Sequence, residues 1–161
     1  MTSTANRRIA VRIERTLTAS PHRIYRAWLD PDLVRRWMAP GPFEASRVEI
    51  DERVGGHYRV WHADGEVDSG GFDSELVELV RDQRIVWRWG FVGPQRRQGS
   101  VYESLLTITL RDLGDGSTKL SLVHERLGDL AAALPQVADN VEPGWQDVLA
   151  KLASILAEPE A

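Results

Sequence analysis

The most constraining feature of this sequence is a long series of short alternating segments, each separated from the next by a tight turn. Between residues 43 and 125, apolar and polar side chains alternate with the period of two that is typical of strands. Glycine marks the turns: Gly55-Gly56, Asp64-Gly65 and Gly114-Asp115-Gly116. Strands joined this closely leave no room for crossover connections, so the sheet that they form is antiparallel.

The last segment of the chain has the period of a helix instead. From about residue 143 to 157, apolar side chains recur at spacings of three and four, and polar side chains occupy the other side. The apolar stripe consists of Trp145, Val148, Leu149, Leu152, Ile155 and Leu156. A single antiparallel sheet has one apolar face to cover, and this stripe is long enough to cover it.

The beginning of the chain contributes one further strand and two short helices. Ile9, Val11, Ile13 and Leu17 follow a period of two, with Arg12, Glu14 and Thr16 between them, which indicates a half-buried strand. Ser20-Pro21 and Asp30-Pro31 are both helix-start signals, and they predict helices over about 21–29 and 31–38. The sequence therefore predicts one α+β domain over residues 9–157, with a bent sheet of about six to seven strands around the last helix, and a flexible tail at residues 1–8.

Composition excludes several classes of function. The 161 residues contain 20 basic and 24 acidic side chains, and the net charge of −4 argues against nucleic acid as a partner. Because the chain has no cysteine, it has no disulfides, thiolate metal sites or cysteine nucleophiles. No apolar run is long enough for a membrane span, so a cytoplasmic location without membrane contact is expected. We find no zinc-ligand spacing, nucleophile elbow or phosphate-binding loop, and no metal or other cofactor is expected.

Tryptophan is the residue type that most strongly suggests a site, because six of them occur in so short a chain. Trp87 and Trp89 lie two residues apart on one side of their strand, and Trp61 would bring a third indole to the same face if the registers align. A buried indole N–H needs either an acceptor or an opening, so an aromatic pocket is a real alternative to a plain core. The other candidates are core residues first and pocket lining second: Trp28 and Trp37 on the short helices, and Trp145 and Leu149 on the last helix.

Two histidines are the polar candidates. His124 follows Leu120 and Leu122 at a spacing of two, so it is predicted to lie on their apolar face. It could be a satisfied core residue, a polar anchor for a ligand, or a general base. His57 and Arg59 share one face of their strand, where they could bind a carboxylate or phenolate, although a solvated edge explains them as well.

Several segments resemble a known family over nearly the whole chain, from Ile9 to Leu156. They read YRAWLDP at 25–31, LVRRWMAP at 33–40, VEIDERVGGHYR at 48–59, IVWRW at 85–89, TKLSLVHE at 118–125 and GW at 144–145. In this order they are similar to homologues of the activator of the ninety-kilodalton heat-shock protein ATPase, within the SRPBCC or START-like superfamily. The resemblance implies the helix-grip fold.

The resemblance implies less about function than about fold, because the superfamily contains cyclases, hydrolases and lipid carriers, and the eukaryotic namesake is a co-chaperone. We expect a protein that binds a small apolar or amphipathic molecule between the sheet and the last helix. The alternatives are a co-chaperone-like interaction module and a cofactor-free enzyme that uses His124 or His57 as a base. Domains of this superfamily often pack as dimers, and the sheet edges could pair, so a homodimer is also expected.

Overall fold

A computed structural model describes residues 10–39, 44–65, 67–92, 102–133 and 135–158. The predicted tail at residues 1–8 lies outside the described residues. The strands are β1 (Ala10–Leu17), β2 (Glu44–Ile50), β3 (His57–Asp64), β4 (Val67–Val80), β5 (Arg84–Val92), β6 (Tyr102–Asp112) and β7 (Thr118–Glu125). The helices are α1 (Pro21–Leu29), α2 (Pro31–Trp37), α3 (Gly128–Ala133), α4 (Pro135–Asp139) and α5 (Val141–Leu156).

The seven strands form one antiparallel sheet in the order β1-β7-β6-β5-β4-β3-β2. Strands β2 to β7 pair with their neighbours in sequence, as the tight turns predicted. The first strand pairs with the last, from Ala10 opposite Glu125 to Leu17 opposite Thr118. The antiparallel sheet, the two short helices after β1 and the long C-terminal helix are therefore confirmed, and they form a helix-grip fold.

The C-terminal helix α5 packs its apolar stripe on the inner face of the sheet. Leu149 and Leu152 are fully buried, and Trp145 is 6% exposed. The ring of Trp145 lies 5.6 Å from that of Trp89 in β5, so the helix contacts the middle of the sheet. None of the described helices has the length and apolarity that a bilayer span requires.

The short helices start where the sequence predicts, and α1 holds the end of α5. The Ser20 hydroxyl accepts a hydrogen bond from the Arg23 N–H at 3.2 Å and so caps α1. The Arg23 guanidinium donates to the Leu156 carbonyl at 2.6 Å and to the Glu158 carbonyl at 2.7 Å. A cation at a helix C-terminus satisfies carbonyls that have no partner within the helix. Helix α1 therefore helps to fix α5 against the sheet.

The glycine pair before β3 shows why one of the resembling segments has its sequence. Gly55 has a φ of 85°, in the left-handed region where glycine is favoured. At Gly56, a Cβ atom would lie 2.0 Å from the Asp51 carbonyl oxygen, which is too close for any other residue without a backbone shift. The two glycines also exchange backbone hydrogen bonds with Leu76 of β4, so this turn is part of the sheet.

Candidate functional site

Four of the predicted site tryptophans meet between the sheet and α5. We call them the tryptophan cluster: Trp28 from α1, Trp87 and Trp89 from β5, and Trp145 from α5. The first three are fully buried. Their positions follow from the local sequence, since residues two apart on a strand share a face and Trp145 begins the apolar stripe of α5.

The indoles of the tryptophan cluster pack directly on one another. The ring centroids of Trp28 and Trp87 lie 5.4 Å apart, and those of Trp87 and Trp89 lie 5.9 Å apart. Trp28 is 6.1 Å from Trp145 across the interior. These separations are those of aromatic pairs in contact. One continuous aromatic layer therefore joins a short helix, the sheet and the C-terminal helix.

The buried indole N–H groups differ in whether they have a hydrogen-bond acceptor. The Trp145 N–H donates to His124, and that of Trp37, in α2, donates to the Ala27 carbonyl at 3.1 Å. The Nε1 atoms of Trp28, Trp87 and Trp89 find no acceptor among the described residues. Each buried donor left without a partner costs about 1–3 kcal/mol, so three in one cluster require an explanation.

His124 is held in a chain of side-chain hydrogen bonds. Its Nδ1 accepts from the Trp145 indole N–H at 3.0 Å, because an indole nitrogen can only donate. Its Nε2 must then carry the proton, and it donates to the Ser104 hydroxyl at 2.7 Å. Ser104 in turn donates to the carbonyl of Trp89 at 3.2 Å. The hydrogen bonds thus assign one neutral tautomer to His124.

Burial keeps the His124 imidazole neutral. The side chain is fully buried on the apolar face of β7, beside Leu120 and Leu122 as predicted. Loss of hydration lowers the pKa of His124 to about 3. Because the Nδ1 lone pair already accepts from Trp145 and Nε2 already donates to Ser104, the ring has no free lone pair with which to accept a proton. His124 therefore orients the Trp145 indole and is poorly placed to act as a base.

Sequence analysis missed two aromatic neighbours of the tryptophan cluster. Tyr58 is fully buried, lies edge-on to Trp87 with ring centroids 5.4 Å apart, and donates to the Trp28 carbonyl at 2.6 Å. Burial raises the pKa of Tyr58, so its hydroxyl stays protonated. Phe72 lies 4.4 Å from Trp89. The signal for Tyr58 was its period of two with Val60, which marks the inner face of β3.

The structure places Trp61 on the opposite face of the sheet from Trp87 and Trp89. The prediction that Trp61 shares a face with Trp87 and Trp89 is wrong, because the inner face of β3 carries Tyr58, Val60 and His62. Trp61 lies on the outer face, half-buried, with the Arg47 guanidinium 5.0 Å from its ring centroid. In a strand, a change of one residue in the assignment of the inward positions exchanges the two faces.

The remaining histidines of β3 lie on different sides of the sheet. His57 and Arg59 share the outer face with Trp61, and the Arg59 Nε donates to Asp73 at 3.1 Å. His62 points inward, where Nε2 lies 2.8 Å from the Met38 carbonyl. His57 and Arg59 are therefore separated by the sheet from His124 and the tryptophan cluster.

Trp37 and Leu149 border the tryptophan cluster, and neither side chain has a buried polar atom without a partner. Trp37 packs edge-on against Trp28 at 4.6 Å, and its N–H is satisfied. Leu149 is fully buried one turn after Trp145 on α5. Among the described residues, no three histidine, aspartate or glutamate side chains come together as ligands for a metal ion.

The family model described as "Activator of Hsp90 ATPase homolog 1-like protein" matches residues 18–157. A crystal structure of a protein from Chromobacterium violaceum is 32% identical, with a TM-score of 0.76, and the match covers 94% of this chain and 99% of that chain. No protein with a curated description matches the chain.

Two more distant structures share the fold. A protein from Mycobacterium smegmatis is 21% identical with a TM-score of 0.78, over 97% of this chain and 95% of that chain. An HSP90 activator from Plasmodium falciparum is also 21% identical, with a TM-score of 0.66 over 95% of this chain and 99% of that chain. At this identity the likeness extends to the fold alone.

Proposed function

The chain belongs to the family of Activator of Hsp90 ATPase homolog 1-like proteins, and we propose that it binds a small, largely apolar molecule at the tryptophan cluster. The proposal rests on three buried indole N–H groups that have no acceptor, those of Trp28, Trp87 and Trp89. A ligand oxygen would supply the missing acceptor. Binding sites commonly combine an apolar lining with a few polar groups of this kind.

The chemistry of the tryptophan cluster narrows the class of ligand. The indoles present flat apolar surface on which a planar or polycyclic molecule would stack. The histidine beside them is neutral, so the site offers N–H donors and no formal charge. A charged group would lose its hydration here without an ionic partner. The proposed ligand is therefore uncharged, with an aromatic or polycyclic body and at least one carbonyl or ether oxygen.

Binding at this place requires sheet and helix to separate locally. The indoles of Trp89 and Trp145 now face each other across that boundary with centroids 5.6 Å apart. An inserted ring would exchange indole–indole contacts for indole–ligand contacts of the same kind. The unpartnered N–H groups make the ligand-free arrangement less favourable than a solid apolar core of equal area.

The test is a titration of tryptophan fluorescence with neutral planar probes, such as an unsubstituted flavone and an anthraquinone. We expect saturable quenching in the parent protein. Trp87→Phe keeps an aromatic ring but removes one donor, so it should weaken binding by up to about tenfold, the equivalent of one neutral hydrogen bond. Trp61→Phe on the outer face is the matched control and should leave affinity unchanged. Equal effects of both substitutions, or no saturable quenching, would contradict the proposal.

The alternative enzyme function is opposed by the hydrogen bonds of His124. A general base needs an available lone pair within reach of the proton that it removes. At His124 that lone pair accepts from Trp145, and the other nitrogen carries a proton toward Ser104. A nucleophilic hydroxyl donates its hydrogen bond to the base, whereas here His124 donates to Ser104. The two side chains are in contact, but they are not arranged as a nucleophile and its base.

A co-chaperone-like role is the second candidate, favoured by the likeness to the HSP90 activator from Plasmodium falciparum, almost all of whose chain is matched. It predicts stimulation of the ATPase of an Hsp90 chaperone by this protein. The two candidates separate on one pair of variants. Trp87→Phe changes ligand binding and should leave ATPase stimulation unaltered, because the residue is fully buried.

A further inference from the structure

A second candidate site lies on the surface, away from the tryptophan cluster. A cleft of about 410 Å³ opens where α1 approaches the turn after β2 and the turn between β4 and β5. We call it the Tyr25 cleft, and it is lined by His22, Tyr25, Arg26, Glu52 and Arg81. Its volume is that of a site for a small molecule.

The acidic residue that lines the Tyr25 cleft, Glu52, has a partner, and so does Asp82 in the neighbouring turn. Arg26 Nη1 donates to the two carboxylate oxygens of Glu52 at 2.9 and 2.8 Å. His22 Nδ1 lies 2.9 Å from the Asp82 carboxylate. The Arg26 guanidinium therefore offsets the Glu52 charge that would otherwise repel an incoming anion.

The donors of the cleft, in contrast, exceed its acceptors. Within the part of the chain that the structure describes, Arg81 forms no ion pair, and Arg26 uses only Nη1. Tyr25 is 5% exposed and lines the cleft, yet its hydroxyl has no hydrogen-bond partner among the same residues. Burial raises the pKa of Tyr25, which keeps this hydroxyl a donor.

We propose that the Tyr25 cleft binds the anionic oxygen group, a carboxylate or a phosphate, of a small soluble molecule. Arg81 and the unused N–H groups of Arg26 supply the charged donors, and the Tyr25 hydroxyl supplies a neutral donor. A guanidinium presents its N–H groups in a planar fork that matches the spacing of two carboxylate or phosphate oxygens. Because the nearly buried Tyr25 ring lines the cleft, its hydroxyl would orient the bound group.

The wall of the Tyr25 cleft is held in place before any ligand arrives. Asp82 has a φ of 62°, in the left-handed region that aspartate tolerates better than most residues. Its contact with His22 ties the turn between β4 and β5 to the first turn of α1. Arg81 precedes Asp82 in that turn. The backbone that carries Arg81 is therefore fixed relative to α1 before a ligand binds, which lowers the cost of ordering the site.

The inference is independent of the proposed function at the tryptophan cluster. A ligand at the cluster is uncharged and is detected through indole fluorescence, whereas a ligand in the Tyr25 cleft is anionic and should be detected by calorimetry or by NMR shifts of α1. Trp87→Phe should leave anion binding unchanged. Failure at one site would therefore leave the conclusion about the other intact.

The experiment titrates the full chain with inorganic phosphate and, separately, with benzoate at low ionic strength, with amide NMR shifts as the readout. We expect saturable shifts confined to α1, the turn after β2 and the turn between β4 and β5. The probe that binds more tightly identifies whether phosphate or carboxylate is the preferred group. Absence of saturable shifts from both probes up to about 10 mM, beyond the range of ordinary weak binding, would overturn the proposal.

Three variants assign the binding to the named residues. Arg81→Gln should weaken the preferred probe by about tenfold or more, because it removes the unpaired cation. Tyr25→Phe keeps the buried ring and should weaken it by up to about tenfold, the equivalent of one hydrogen bond. The matched control is Arg84→Gln, since Arg84 follows in the same turn region and pairs with Glu78 at 3.3 Å. Equal weakening by Arg81→Gln and Arg84→Gln would show non-specific attraction and overturn the assignment.

Discussion

The two faces of the sheet satisfy their polar groups in opposite ways. On the outer face, charged side chains pair across strands in contact with water, as Arg59 does with Asp73 at 3.1 Å and Arg88 does with Glu75 at 2.5 Å. On the inner face, indole, phenol, imidazole and serine hydroxyl groups lie among apolar side chains. Three of the indole N–H groups there have no partner among the described residues.

The same residue types therefore have different consequences on the two faces. Trp61 on the outer face is partly solvated beneath Arg47, whereas Trp89 on the inner face is fully buried with an unpartnered N–H. His57 lies on the outer face, whereas His124 is enclosed and restricted to one tautomer. Burial, rather than residue type, decides whether a polar group costs free energy and whether it can direct a ligand.

The largest expected contrast between the faces is in packing. Leu149→Ala should lower the free energy of unfolding by about 2–5 kcal/mol, because it leaves a cavity beneath α5. Val77→Ala, at a side chain that is 38% exposed, should change it by less than about 0.5 kcal/mol. Urea unfolding followed by circular dichroism measures both. A loss below about 0.5 kcal/mol for Leu149→Ala would mean that α5 is not docked on the sheet.

The pH dependence of stability should report the buried histidine. The pKa of His124 is about 3 in the folded chain and about 6.5 when unfolded, so the folded state binds fewer protons between these values. The contribution of the neutral His124 to the free energy of unfolding is therefore fully present above about pH 6.5. It is lost as the pH falls, by up to about 1.4 kcal/mol per pH unit. Urea unfolding between pH 7 and 5 measures the slope. The 15N shifts of His124 should stay those of the neutral Nε2–H tautomer at pH 5, and an imidazolium at pH 6 would contradict this.

A comparison within the inner face should isolate the hydrogen bond to His124. Trp145→Phe and Trp87→Phe remove the same group of atoms, but only Trp145→Phe leaves the His124 Nδ1 atom without its donor. We expect Trp145→Phe to be more destabilising by about 1–3 kcal/mol, the cost of an unpaired buried polar atom. Thermal and urea unfolding of the two variants provide the difference. Equal losses would mean that the bond to His124 contributes nothing.

The smallest expected effect is on the outer face. Asp73→Asn removes the charge that faces Arg59 in a pair that is partly exposed on both sides. It should cost about 0.2–1 kcal/mol, and the difference from the parent protein should decrease as salt is added. Unfolding at low and high ionic strength tests this. A loss of several kcal/mol would place the pair in a far less solvated setting than the structure shows.

Much of the site could be predicted because strand periodicity fixes relative position. Trp87 and Trp89 had to share a face, and His124 had to share one with Leu120 and Leu122. The period did not reveal which face of β3 is inward, so Trp61 was placed inside and Tyr58 was overlooked. Two alternations, Tyr58-Val60-His62 and His57-Arg59-Trp61, were both compatible with the pattern, and only packing against β5 distinguished them.

By itself, the sequence determined the family, the antiparallel connectivity and the positions of α1, α2 and α5, because these depend on local periods, caps and turns. The tertiary structure alone decided which indole N–H groups would find acceptors. Ser104 and Trp145 reach His124 from distances of 20 and 21 residues along the chain, and Trp28 meets Trp87 through the docking of α1. No local pattern encodes such contacts, since hydrogen bonds between side chains depend on the angles and distances at which separate elements pack.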